Sequence, residues 1–149
     1  MRIRRATVED LPTIHPLFVK YLQFYERDSS GEKPMTFLTE NLLESRSTIF
    51  VAENDKRKLC GFTQLYQRLS SLSMGHYIYL SDLYVNETCR KQGLGKALMD
   101  AAKEYAISID AVKIELNTAH TNIAAQSLYE SLEYQMDRDY RTYILMLKK

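Results

Sequence analysis

The order of strand-like and helix-like stretches predicts a mixed α/β domain, with a central sheet of about seven strands flanked by helices. Three observations carry that prediction. Apolar residues recur at helical spacing in residues 11–25 and 94–107. Stretches 48–53, 59–67 and 76–85 are rich in β-branched and aromatic residues. Residues 112–147 then read strand, helix, strand, strand, a late α/β run.

In chain order, residues 3–6 read as a short strand, and Thr7 is a plausible N-cap with Asp10 as its acidic capping partner. Leu11, Ile14, Leu17, Phe18, Tyr21, Leu22 and Tyr25 then mark a helix. Residues 28–34 form a polar loop with Gly31 and Pro34, and a second helix is expected after Thr36. Residues 48–53 and 59–67 pair across a charged turn. A polar connection over 68–75 leads to a long strand, 76–85. A polar loop follows, then the helix at 94–107. Residues 112–116 are an apolar strand of the buried, parallel kind, 123–132 a helix, and 134–136 and 140–147 closing strands.

A length of 149 residues suits one domain spanning 1–149, with a core that needs no staples. Cys60 and Cys89 lack metal-ligand spacing and the histidines (His15, His76, His120) are scattered, so neither a metal site nor a disulfide framework is expected. A net charge of +1 gives no field that would draw the chain to nucleic acid or membrane. No apolar run reaches the roughly 18 residues that span a bilayer. A cytoplasmic location follows as the default expectation.

The most informative segment is the strand–loop–helix junction. At a helix N-terminus, unpaired N–H groups and a partial positive charge favour anions. Gly93 and Gly95 remove side chains where backbone must approach a ligand closely, and Arg90, Lys91 and Lys96 add positive charge. Together they make a cradle suited to a pyrophosphate. A P-loop would need Gly at 90 and Ser or Thr at 97, where Arg90 and Ala97 stand. A dinucleotide fingerprint would need Gly or Ala at 98, where Leu98 stands.

Residues 90–95, Arg-Lys-Gln-Gly-Leu-Gly, resemble the acetyl-CoA motif of the GCN5-related N-acetyltransferase (GNAT) family, Q/R-x-x-G-x-G/A. Residues 122–134 are similar to a second family segment, N-x-x-A-x-x-(F/L)-Y-x-x-x-G-(F/Y), except that Glu133 replaces its Gly. The resemblance implies a mostly antiparallel sheet whose fourth strand carries a bulge and splays from the fifth. It implies acetyl-CoA as co-substrate: backbone of Leu83, Tyr84 and Val85 along the pantetheine arm, and Arg90, Lys91, Gln92, Gly93, Leu94, Gly95 and Lys96 around the pyrophosphate. Asn122 would reach the arm or the phosphates, Ala125 would keep its helix close, and Tyr129 matches the tyrosine that protonates the departing thiolate. A phenol near ~10 can pass its proton to a thiolate near ~8.5.

The reaction implied is N-acetylation of a primary amine by direct attack in a ternary complex. Polyamine-type relatives carry a Glu where this chain has Ser81. Asp82 is adjacent, and strand neighbours face opposite sides unless a bulge intervenes. Asp82 would act through a water or pair with a substrate ammonium; Ser81 would position a water. Tyr21, Tyr25 and Glu26, with Asp82, suit an aliphatic cation through cation–π contact and charge pairing. A small-molecule amine, polyamine or amino-acid-like, is the expected acceptor. Alternatives are a protein or peptide amine, or a non-catalytic acyl-CoA sensor. The aromatic strands near the C-terminus point to a homodimer.

Overall fold

A computed structural model describes residues 1–148. The chain divides into two compact units, Met1–Asn117 and Thr118–Lys149. The first holds β1 (Arg2–Arg5), α1 (Leu11–Phe24), α2 (Lys33–Leu43), β2 (Thr48–Glu53), β3 (Leu59–Ser70), β4 (Gly75–Val85), α3 (Leu94–Ser108) and β5 (Ile114–Glu115). The second holds α4 (Ile123–Ser131). Among the described residues, no helix is long and apolar enough to cross a membrane.

The sheet has five strands in the order β1-β2-β3-β4-β5, antiparallel except for the parallel pair of β4 and β5. The expected strands at 134–136 and 140–147 are not formed. A strand exists only against a partner edge, and here local chemistry takes the backbone: Asp137 Oδ1 accepts from the N–H groups of Asp139 (2.9 Å) and Tyr140 (3.1 Å), turning the chain. The apolar side chains beyond it are exposed.

Two apolar layers flank the sheet. On one face, Ile14, Leu17 and Phe18 of α1 and Leu38 of α2 pack on Ile49, Val51, Phe62 and Tyr84. On the other, Leu94 and Leu98 of α3 pack on Ala52 and Cys60. Each fully buried Leu, Ile or Phe contributes roughly 1.5–3 kcal/mol of transfer free energy.

Several boundaries differ from expectation, and β5 is only Ile114–Glu115 where a strand over 112–116 was expected. A 3₁₀ turn, Val8–Asp10, precedes α1; Asp10 Oδ2 accepts from the Thr7 N–H at 2.8 Å, the acidic half of the capping pair. Helix α2 starts at Lys33, with Pro34 in its first turn, where a missing N–H costs nothing. Half of the 68–75 connection is strand: β3 and β4 pair down to Ser70 and Gly75, leaving a turn over 71–74.

Candidate active site

Strand β4 is regular against β3 until Leu80 faces Leu65; the next pair is Asp82 with Gln64. Ser81 is therefore an extra residue, the bulge that the resemblance implied. Its consequence is directional. Ile78 and Leu80 lie buried before it, and after it Asp82 and Tyr84 point to the α1 and α2 layer, because they share a face with their partners Gln64 and Phe62. The bulge is what brings a carboxylate into that layer.

Asp82 is 5% exposed. Its Oδ2 accepts from Gln64 Nε2 at 2.5 Å and its Oδ1 from the Tyr21 hydroxyl at 3.2 Å. Gln64 has no freedom to turn, because its Oε1 accepts from Ser47 Oγ (2.7 Å) and Asn41 Nδ2 (3.1 Å). Asn41 Nδ2 also donates to the Tyr66 hydroxyl at 3.1 Å. Burial raises the Asp82 carboxyl above its ordinary range, and hydrogen bonds from Ser81, Gln64 and Tyr21 offset part of that. Burial and the nearby Asp82 charge likewise raise Tyr21 and Tyr25. Tyr21 lies edge-on to Tyr25, with ring centroids 5.0 Å apart, and its hydroxyl reaches the carboxylate.

The first unit thus gathers Ser81, Asp82, Tyr21 and Tyr25. Glu26 lies in the exposed turn after α1, at φ 55°. Spacing gave no sign of Gln64, Asn41, Ser47 and Tyr66: Asn41 is 23 residues from Gln64, and a polar side chain in an apolar strand announces no partner.

At the other end of β4, Leu83, Tyr84 and Val85 continue to pair with β3, whereas β5 pairs only with Ile78 and Tyr79. The two strands therefore part before the bulge. Beyond Val85 comes a turn, Glu87–Cys89, and then the loop into α3. Gly93 is the N-cap of α3, at φ 78°, and contributes no side-chain cap. Lys91 also adopts a positive φ, 62°. The first N–H groups of α3 thus donate to no capping side chain. Arg90 Nε donates to the Val85 carbonyl at 2.9 Å, holding the loop against the strand end, and Lys96 pairs with Asp100 at 2.7 Å. Gln92, Leu94 and Gly95 complete the loop and the first turn; Leu94 is buried in the α3 layer. This donor set fits a phosphate-bearing group.

In the second unit, Asn122 caps α4, its Oδ1 accepting from the Ala125 N–H at 3.2 Å. Tyr129 lies on α4 with its ring 6.2 Å from that of Tyr134. Glu133 adopts φ 68°, the left-handed conformation for which the family pattern uses Gly. His76 Nε2 donates to the Ile109 carbonyl at 2.6 Å, a tie between β4 and the end of α3. His120 is an exposed loop residue. No cluster of metal ligands occurs among the described residues.

Residues 12–134 match the model of the acetyltransferase (GNAT) family. The chain is 39% identical to the uncharacterized N-acetyltransferase YhfO of Bacillus subtilis, over 97% of each chain. It is 25% identical to the L-ornithine N5-acetyltransferase NATA1 of Arabidopsis thaliana, covering 94% of this chain and 82% of that one. A crystal structure of a probable acetyltransferase superposes with a TM-score of 0.95 at 38% identity, over 100% of this chain and 99% of the other. These matches define the class: an acyl-CoA-dependent N-acetyltransferase. The chain belongs to the acetyltransferase (GNAT) family, whose members use acetyl-CoA as co-substrate.

Proposed function

We propose that this protein transfers an acetyl group from acetyl-CoA to the primary amine of a small molecule, polyamine or amino-acid-like, by direct attack in a ternary complex. One observation carries the acceptor class: a buried carboxylate, Asp82, set on a strand bulge beneath Tyr21 and Tyr25. A carboxylate among aromatic rings suits an aliphatic ammonium. A carboxyl raised toward the working range can also take the proton an ammonium must lose before it attacks. Ser81 stands where polyamine-type relatives carry a Glu, and Asp82 supplies a carboxylate one residue on. Similarity to a relative named as an L-ornithine N5-acetyltransferase supports a small basic acceptor.

Backbone of Leu83, Tyr84 and Val85, on the stretch of β4 that β5 leaves unpaired, holds the pantetheine arm. Residues 90–96 hold the diphosphate through the α3 amides and the charges of Arg90 and Lys91; for Asn122 and Ala125, a part in cofactor binding rests on the family resemblance of residues 122–134. Tyr129 gives its proton to the departing thiolate. A thiol-release assay with acetyl-CoA and a panel of polyamines, basic amino acids and lysine-bearing peptides tests the reading. Turnover should favour the small amines. Tyr129→Phe should lose most of kcat while CoA binding persists. Preference for peptides would move the acceptor to protein amines, and binding without turnover on any amine would make the protein a sensor.

A further inference from the structure

Cys60 and Cys89 are 29 positions apart, yet their sulfur atoms lie 2.7 Å apart as free thiols. Cys60 is buried in β3, beneath Leu94 and Leu98 of α3. Cys89 is half-buried and ends the Glu87–Cys89 turn that feeds the anion-binding loop. The backbone already brings the two together: the Asn86 N–H donates to the Cys60 carbonyl at 2.8 Å, and the Cys89 N–H donates to the Asn86 carbonyl at 2.8 Å. One further bond would join the floor of the sheet to the loop residue directly before Arg90.

We propose that Cys60 and Cys89 form a reversible disulfide, a redox modification site that tethers the phosphate-binding loop to β3 and weakens CoA binding. The oxidant is a low-molecular-weight disulfide. The Cys89 thiolate, the one solvent reaches, attacks a sulfur of that disulfide and expels one thiolate. The Cys60 thiol then loses its proton and attacks the Cys89 sulfur, expelling the second. Two protein thiols become one disulfide, and the oxidant is reduced to two thiols. Burial and the neighbouring Cys89 raise the Cys60 thiol, which suits it to the second, intramolecular step rather than to first attack. Bonding requires the sulfurs to close to about 2.05 Å with a dihedral near 90°. The 2.7 Å separation leaves only a small side-chain rotation to that geometry, and the bond then fixes the turn carrying Cys89 against β3. A cradle that binds through backbone amides loses affinity when its lead-in turn can no longer adjust to the ligand. The effect on CoA rests on the cofactor reading above; the disulfide itself does not.

The test uses the full-length reduced protein and oxidised glutathione. Intact mass and thiol titration should show both thiols lost, two hydrogens gone, no glutathione attached, and full reversal by dithiothreitol. Cys60→Ser should instead retain a glutathione adduct on Cys89. Calorimetry with CoA should show roughly tenfold weaker binding after oxidation of the wild type, against no such loss for oxidant-treated Cys89→Ser; tenfold is about 1.4 kcal/mol. Thiols that stay titratable, a lasting adduct on the wild type, or unchanged CoA affinity in the disulfide form each overturn the proposal. Reduced protein that ignores CoA sinks the cofactor reading, an outcome the thiol titration keeps separate.

Discussion

Asp82 costs the folded state something, because a carboxylate this deep loses more hydration than Gln64, Tyr21 and Ser81 restore. The sign of its pH dependence follows. Its folded-state pKa lies above the unfolded value near ~3.9, so between the two the folded chain binds more protons. Stability therefore falls as pH rises through that window and stays lower above it. Asp10 behaves oppositely. The Arg4 guanidinium, 2.7 Å away, holds its carboxyl below the ordinary range. That contribution is present above ~3.9 and is lost as pH falls through the folded pKa. Urea melts across pH should show Asp82→Asn removing the decline toward neutrality and Asp10→Asn removing the loss in acid. The same Asp82→Asn change should lower kcat/KM about 10²-fold and abolish an acid limb lying above the usual carboxylate range. A variant with unchanged kcat/KM would leave Asp82 a purely structural carboxylate.

At the scale of elements, two glycines do different work. A Cβ on Gly61 would meet the Tyr84 carbonyl oxygen at 2.6 Å, and backbone cannot yield as a side chain would. Gly61→Ala should cost about 1–3 kcal/mol in thermal melts, by pushing β3 from β4 just below the loop. A Cβ on Gly93 meets nothing within 4 Å, so its cost is the positive φ alone, about 1–2 kcal/mol. Gly93→Ala should therefore weaken CoA binding more visibly than it destabilises the fold. The converse holds at Glu133, where relief of the left-handed strain in Glu133→Gly should raise stability by about 0.5–1 kcal/mol. The glycine loop and its helix were legible because their chemistry is local: a special φ, an uncapped helix start and nearby cations lie within seven residues. The bulge at Ser81 was legible only through the family resemblance. Its cause is the β3 register, which depends on residues far along the chain.

Across the whole molecule, the alternation of helical and strand spacing was enough to place four helices and the first five strands, because the apolar period of each is written locally. The buried string from Asp82 through Gln64 to Asn41, Ser47 and Tyr66 was not readable, since it forms only when three separate elements meet. Nor was the closeness of Cys60 and Cys89, which depends on the return of β4 along β3.

The segment past Asp137 shows the same limit from the other side. Tyr140, Tyr143, Ile144, Leu145, Met146 and Leu147 have the composition of a strand and are exposed, Ile144 at 77%. A contiguous apolar run open to water marks an association surface. A second copy of this chain is the partner that the homodimer reading names. Sedimentation of the wild type at micromolar concentration should therefore give a dimer. The double variant Tyr143→Asp, Ile144→Lys should sediment as a monomer that still binds CoA, because neither residue belongs to the phosphate-binding loop. A wild type that stays monomeric at every concentration would remove the dimer and leave that apolar run to some other partner.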